Sequence, residues 1–135
     1  MRLIAALLVL AAAGCDTAPF ADASPIGTGE MAFTADRDAY RRGDTAALTL
    51  RNLSADTLTT GVLECAFLEV WDGEAWTIRA SDNGRACIEI AVVLAPGETL
   101  TGEVELDVSD GSYRFVHGLH GQSALPLATG AFRVD

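Results

Sequence analysis

The sequence predicts an all-β protein, built as an antiparallel β-sandwich of seven or eight short strands. Apolar and polar residues alternate with a period of two, turn-forming residues recur at short intervals, and no stretch has the period of an amphipathic helix. The candidate strands are roughly 30–35, 45–52, 62–71, 75–80, 86–94, 99–108, 112–118 and 128–134. That many short strands in about 105 residues are typical of two packed antiparallel sheets.

Two of these strands show the alternation most clearly. In strand 45–52 the inward candidates are Ala46, Leu48 and Leu50, which alternate with Ala47, Thr49 and Arg51. In strand 99–108 they are Leu100, Val104, Leu106 and Val108, which alternate with Thr101, Glu103, Glu105 and Asp107. Because successive side chains of a strand point to opposite faces, each strand has one buried face and one solvated face.

The dipeptide Asp72-Gly73 separates the apolar stretches that end at Trp71 and begin at Trp76. An Asp-Gly pair favours a tight hairpin, because glycine accepts a positive φ and the twist of such a turn matches that of the strands. Further turn signals separate the other strands and fall at 42–44, 52–56, 82–84, 96–98 and 110–111.

The first 14 residues have the organisation of a secretory signal peptide. Met1-Arg2 forms a short positive start, and Leu3 to Ala13 is an unbroken apolar run. A run of about 11 residues is too short to span a bilayer, which needs roughly 20, but it suits a signal-peptide core. The alternative is a buried N-terminal helix or strand.

The end of the apolar run, Ala12-Ala13-Gly14-Cys15, resembles the lipobox of bacterial lipoprotein precursors. The resemblance implies cleavage before Cys15, a diacylglyceryl group on its thiol and a further acyl chain, such as palmitate, on its new amine. Several acyl chains on one cysteine anchor a protein stably in a membrane. The sequence departs from the commonest lipobox at Ala12, where leucine is usual.

The chain therefore divides into three parts. Residues 1–14 are the predicted lipoprotein signal peptide. Residues 15–29 contain prolines, glycines and small residues without periodicity, which is typical of a flexible tether carrying the lipid. Residues 30–135 form the predicted β-sandwich.

The domain resembles the immunoglobulin-like domains of bacterial envelope proteins in the order of five motifs. The motifs are "FTADRDAYRRGDTAALTLRNLS" (33–54), "LEVWDGEAW" (68–76), "LAPGETLTGEVEL" (94–106), "DGSYRFV" (110–116) and "GAFRVD" (130–135). The resemblance implies that the hydroxyl of Tyr113 is tied to nearby backbone at a strand corner. The chain departs from the antibody type because neither 45–52 nor 112–118 contains a cysteine.

Cys65 and Cys87 remain once Cys15 is assigned to lipid. In an exported domain such a pair predicts a disulfide. It would close a loop of about 23 residues and contribute roughly 3 kcal/mol. The alternatives are two buried thiols, or a metal or redox pair, although the spacing lacks the C-x-x-C arrangement of such sites.

The net charge of −10 limits the partners of the protein. Cleavage before Cys15 removes Arg2 and leaves 8 arginines against 19 acidic residues, a net charge of −11. Such a surface repels phosphate backbones and anionic headgroups, so nucleic acid is not expected as a partner.

Two groups of residues are candidate metal ligands. His117 and His120, three positions apart, suit copper or zinc, and Asp36, Asp38 and Asp44 offer the oxygen ligands that calcium prefers. We favour histidines that are solvated or hydrogen-bonded and acids that serve ordinary turns. No metal or other cofactor is therefore expected.

Trp71 and Trp76 are the candidate binding residues, because aromatic side chains beside a hairpin can anchor a partner. The alternative is that one packs in the core and the other caps it. We expect no enzymatic activity, since the sequence lacks a phosphate-binding loop and a serine nucleophile motif. The loop serines that lack such a motif are Ser81, Ser109 and Ser123.

Together these features predict a non-enzymatic lipoprotein of the bacterial cell envelope, facing the periplasm or the cell surface. Lipid would anchor it to the membrane, and its single domain would bind another envelope protein or serve a structural role. The alternative is a proteinase inhibitor of β-sandwich type, because one such family also has a Pro-Gly-Glu turn after a central strand.

Overall fold

The computed structural model describes residues 30–79, 87, 90–118 and 127–135. The predicted signal peptide (1–14) and tether (15–29) lie outside the described residues, as do Ser81, His120 and Ser123. Within the described part of the chain the fold is all-β and contains no helix long and apolar enough to cross a membrane.

Eleven strands and one 3-10 turn make up the described chain. The strands are β1 (Met31–Ala35), β2 (Ala39–Tyr40), β3 (Thr45–Asn52), β4 (Leu58–Thr60), β5 (Phe67–Trp71), β6 (Trp76–Ile78), β7 (Val92–Leu94), β8 (Thr99–Glu105), β9 (Gly111–His117), β10 (Leu127–Ala128) and β11 (Phe132–Val134). The 3-10 turn is Leu63–Cys65. The antiparallel all-β prediction is confirmed, and the short strands β2 and β4 are additions to it.

The strands form two main sheets and one small one. Sheet I has the order β1-β3-β8, and sheet II has the order β2-β11-β9-β5-β6, with β10 also paired to β9. Strands β4 and β7 form a separate pair. All of these pairings are antiparallel except that of β2 with β11, which is parallel. Because β1 belongs to sheet I and β2 to sheet II, the chain passes from one sheet to the other between them.

The core lies between the inward faces of the two sheets. Phe115 of β9 stacks on Phe132 of β11 with ring centroids 5.3 Å apart, and Tyr40 of β2 meets Phe132 edge to face at 5.1 Å. Ala46, Leu48, Leu50, Leu106 and Val108 are buried in the same cluster, as their alternation predicts. The predicted inward face of strand 45–52 is thus confirmed. Strand 99–108 is shorter than predicted and ends at Glu105; Leu100 and Val104 pack half-buried against the cluster, and Leu106 and Val108 are buried beyond the strand end.

The predicted strand 62–71 is wrong in its first half. Residues 63–65 form the 3-10 turn instead, which directs Leu63 into the core against Gly102 of β8. A Cβ at position 102 would lie 2.7 Å from the Cβ of Leu63, so glycine permits this close approach.

The predicted strand 128–134 is interrupted by a bulge. Ala128 pairs with Val116 and Phe132 with Tyr113, so three residues of one strand oppose two of the other. Thr129 keeps the strands together: its N–H donates to the carbonyl of Phe115 (2.9 Å), and its hydroxyl accepts from the N–H of Phe115 (3.0 Å). A side-chain oxygen here takes the place of a backbone acceptor.

The hairpin between β5 and β6 forms where it was predicted. Its turn is centred on Gly73 and Glu74, one residue later than the Asp-Gly pair, and Gly73 takes the positive φ of 106°. Asp72 instead caps the turn, because its Oδ1 accepts from the N–H groups of Glu74 and Ala75 at 2.8 Å each. Trp71 and Trp76 are thereby paired across the hairpin.

Cys65 and Cys87 lie at disulfide-bonding distance, with Cα atoms 5.8 Å apart. The bridge would join the end of the 3-10 turn to a point 22 residues further along the chain. The predicted pair therefore has the geometry that a disulfide requires.

Tyr113 makes the predicted contact with the backbone. Its ring is buried in the core, and its hydroxyl donates to the carbonyl oxygen of Ser109 at 2.7 Å. The ring also passes over Gly111, where a Cβ would lie 3.3 Å from it. The bond fixes the corner through which the chain enters β9.

We expect the substitution Tyr113→Phe to lower the free energy of unfolding by about 1.5 kcal/mol, because it leaves the Ser109 carbonyl without its partner. Urea denaturation measures this. The matched control is Ser109→Ala, which keeps the carbonyl and should change stability by less than about 0.5 kcal/mol. Equal effects of the two substitutions would contradict the assignment of the bond.

Candidate functional site

The outer face of sheet II is the candidate functional surface. Leu68 and Val70 of β5 pack on the core, as do Tyr113 and Phe115 of β9, so the residues between them point away from it. We define the outer face as Phe67, Glu69, Trp71, Trp76, Ile78, Arg114 and Val116, which cross-strand pairing brings together.

Trp71 and Trp76 lie side by side on this face, with ring centroids 5.4 Å apart and planes inclined at 54°. Each indole is half-buried, and neither belongs to the core cluster. The alternative that one packs in the core is therefore wrong. The reason is parity: Val70 contacts the core, so its neighbour Trp71 must point to the opposite face.

An ion pair lies at the centre of the outer face. Arg114 and Glu69 are directly opposite each other on β9 and β5, and Nε of Arg114 donates to a carboxylate oxygen of Glu69 at 2.6 Å. The two side chains are only 12% and 15% exposed. The guanidinium carbon of Arg114 also lies 4.7 Å from the centre of the Trp76 ring, a cation–π distance.

Large apolar side chains flank this pair. Phe67 is 44% exposed and Ile78 is 45% exposed, and Ile78 is paired with Glu69 across the hairpin. Nε1 of Trp71 is buried without an acceptor among the described residues, so packing rather than hydrogen bonding holds that indole in place. The outer face thus presents aromatic and aliphatic groups around an internally neutralised charge pair.

His117 is a core residue. It is buried on the inward side of β9, and its Nε2 lies 2.8 Å from the hydroxyl of Thr60, with which it shares a hydrogen bond. The ring of Phe33 lies 6.0 Å away. Among the described residues no group of three or more histidine, cysteine or acidic side chains could hold a metal ion.

Two of the three acids considered for calcium, Asp36 and Asp44, belong to a hydrogen-bonded network at the passage from β1 to β2. Asp38 lies beside it and is exposed, and its backbone carbonyl accepts from the N–H of Arg133. Asp36 accepts from the hydroxyl of Tyr40 (2.7 Å) and the N–H of Ala47 (2.9 Å). Arg37 lies between Asp36 and Asp44, with nitrogen–oxygen distances of 3.4 and 3.1 Å, and stacks over Tyr40 at 4.4 Å. The network satisfies these carboxylates within the protein and fixes the change of sheet.

The hydrogen bonds and charges of this network shift the pKa values of Asp36, Asp44 and Tyr40. Burial would raise the pKa of Asp36, but hydrogen bonds from Tyr40 and Ala47 and the charge of Arg37 outweigh it and lower the pKa. The N–H of Arg41 and the charge of Arg37 lower the pKa of Asp44. Burial and the bond to Asp36 raise the pKa of Tyr40 to about 12.

A groove of about 580 Å³ runs along this passage, lined by residues 34–39, Gly130 and Ala131. Asp36 and Arg37, which line it, are committed to the network just described. Ser109, a loop serine without a nucleophile motif, has its hydroxyl 3.5 Å from that of Tyr113. Among the described residues its side chain has no hydrogen bond to a histidine or a carboxylate that could activate it. The groove is therefore a product of the change of sheet, and the outer face remains the candidate site.

Comparisons with known proteins add no family assignment. No known protein family and no curated protein matches the sequence. Among solved structures the chain is similar to a β-glucosidase of Erythrobacter marinus (17% identity, TM-score 0.39, 78% of this chain and 15% of the enzyme). It is also similar to a β-glucosidase of Listeria innocua (16% identity, TM-score 0.40, 78% and 16%). The chain thus spans a small part of either enzyme, and similarity this weak assigns no function.

The two tryptophans of the chain both lie on the outer face, so tryptophan fluorescence reports on this surface alone. We expect Arg114→Met to lower the free energy of unfolding by about 2 kcal/mol, because Glu69 loses its partner in a largely buried position. The fluorescence of the folded protein should also change, since the guanidinium leaves Trp76. The matched control is Arg133→Met, which breaks an exposed ion pair with Asp135 and should cost less than about 0.5 kcal/mol.

The raised pKa of Tyr40 predicts a loss of stability in alkali. An unfolded tyrosine ionises near pH 10, about two units below folded Tyr40, so the folded state holds this proton more tightly. The contribution of Tyr40 is therefore complete below about pH 10 and is lost as the pH rises to about 12. Urea denaturation across that range should give a flatter pH dependence for Tyr40→Phe than for Tyr113→Phe, which retains Tyr40; equal slopes would be the contrary result.

Proposed function

We propose that this protein is a lipoprotein of the bacterial envelope, whose single immunoglobulin-like domain binds another envelope protein without catalysis. The observation that carries the proposal is the use of the three cysteines. Cys65 and Cys87 lie at disulfide distance from each other, which leaves Cys15, directly after the apolar run, for the lipid. A lipid anchor followed by a tether would hold the domain close to the membrane.

The strand order supports an immunoglobulin-like domain. In that fold strands A, B and E share one sheet, and strands G, F and C share the other, with C′ next to C in the variable type. Sheet I has β1, β3 and β8 in the first positions, and sheet II has β11, β9, β5 and β6 in the second. The bond from Tyr113 to Ser109 corresponds to the tyrosine corner of such sandwiches.

The outer face supports a binding function rather than a catalytic one. It combines exposed apolar groups with a charge pair that is already satisfied, and such surfaces suit protein interfaces. The turn on which the resemblance to proteinase inhibitors rests, Pro96–Glu98, is tied back to Asn52 and Ala95 by backbone bonds. It is a short reverse turn, which is less suited to entering a protease cleft than an extended segment.

The test of the anchor is the acylation of Cys15 in the membrane fraction of the producing bacterium. Intact-mass spectrometry should find a chain that begins at Cys15 and carries diacylglyceryl and acyl groups, and Cys15→Ser should abolish the modification and release the protein from the membrane. Asp16→Asn is the matched control, because it changes the next residue and keeps the thiol. An uncleaved or unacylated N-terminus in the unmodified protein would refute the proposal.

A further inference from the structure

Phe67 and Ile78 give the outer face of sheet II its exposed apolar surface. Each leaves almost half of its side chain in water, although both lie on regular strands where the opposite face is core. Val116 pairs with Phe67 and extends the apolar area onto β9. Exposed apolar side chains grouped on one face of a β-sheet are typical of a surface that another molecule covers.

The centre of the outer face is arranged for a partner that brings no charge to it. Glu69 and Arg114 neutralise each other at 2.6 Å, so a covering surface would not leave either charge unpaired. The guanidinium of Arg114 lies over the indole ring of Trp76, and the Trp71 ring packs against the same indole at an angle. A sugar would need an open indole face on which to stack, so this arrangement favours a protein as the occupant.

The rim next to the tryptophans is acidic. The hairpin turn that joins Trp71 to Trp76 carries Asp72 and Glu74, and both side chains are exposed. The N–H groups of Ala75 and Glu74 lower the pKa of Asp72, which keeps its carboxylate ionised. Since Glu69 is neutralised, these two acids are the exposed charges that the hairpin turn contributes to the outer face.

The overall charge argues against a second copy of the chain as the occupant. Each processed chain would carry a net charge of −11, so two copies brought face to face would repel one another. The same charge opposes an anionic lipid surface. A positively charged protein meets both the apolar area and the acidic rim.

The acidic rim lies at the end of the domain opposite the point where the tether joins it. The tether enters at Glu30, whose carbonyl accepts from Leu53 at the end of sheet I where β1 begins. The hairpin turn lies at the opposite end, where β9 begins and where the N–H of Arg42 donates to the carbonyl of Asp135. An anchor at the N-terminus would therefore leave this end of the domain accessible to another protein.

We propose that the outer face docks a basic partner protein, which contributes apolar side chains over Phe67 and Ile78 and lysine or arginine side chains beside Asp72 and Glu74. This inference rests on the proposed function and names the surface and the partner chemistry. Apolar contacts at Phe67 and Ile78 supply the affinity, and the acidic rim supplies orientation and rate of association.

The experiment is site-specific photo-cross-linking in living cells with the full-length chain. The probe is benzoylphenylalanine, placed at position 67, at position 78, or at Val93 as a control. Val93 is 62% exposed and lies on β7, outside sheet II. Tryptophan fluorescence of each purified variant verifies that the outer face is folded.

The proposal predicts one adduct from positions 67 and 78, none from position 93, and a captured protein with net positive charge. The substitution Glu74→Lys should lower the adduct yield about threefold, because it reverses a charge of the rim and leaves the Asp72 carboxylate that caps the turn. Glu103→Lys makes the same change of charge on β8 and should leave the yield unchanged.

Several results would overturn the proposal: an adduct of twice the mass of the chain, a lipid adduct, an acidic partner, or a yield unaffected by the change at the rim. An adduct from position 93 but from neither 67 nor 78 would also overturn it, and would leave the proposed binding function in place through another surface. No adduct at any position would overturn it as well, and together with an unacylated Cys15 would remove the proposed function itself.

Discussion

The aromatic stack between the two sheets is the interaction on which the rest of the structure depends. Phe115, Phe132 and Tyr40 belong to three neighbouring strands of sheet II, and their contacts hold these strands in one register against sheet I. Because side chains alternate along a strand, an inward Phe115 forces Arg114 and Val116 outward. The composition of the outer face is thus a consequence of the packing of the core.

Buried polar groups then fix the places where the regular strands stop. Asn52 is fully buried at the end of β3, where its amide donates to the carbonyls of Asp56 and Leu94 and its oxygen accepts from Ser54. At the bulge between β10 and β11, the hydroxyl of Thr129 likewise satisfies a buried backbone group, because it accepts from the N–H of Phe115. Such bonds are costly to break inside a core, so they specify the loops as firmly as apolar packing specifies the sheets.

The sequence was sufficient to predict the fold class and the strand 45–52, because alternation and turn residues are local signals. The corner at Tyr113 was predicted from the resemblance to immunoglobulin-like domains. The sequence was not sufficient for the 3-10 turn at 63–65, which forms because Gly102, distant in sequence, leaves room for Leu63. Nor could it predict that Arg114 covers Trp76, because that contact depends on the register of β5 against β9. The two tryptophans were identified from their position beside the hairpin, whereas Phe67, Ile78 and the ion pair were missed for want of a local signal.

Under the proposal above, a partner covers the outer face of sheet II when the protein is in its native envelope. Hydroxyl-radical footprinting, read by mass spectrometry, tests this directly by comparing intact cells with the purified chain. We expect lower oxidation of Phe67, Trp76 and Ile78 in cells, and unchanged oxidation of the exposed Leu53 and Val93. Equal oxidation of the outer face in cells and in solution would contradict it.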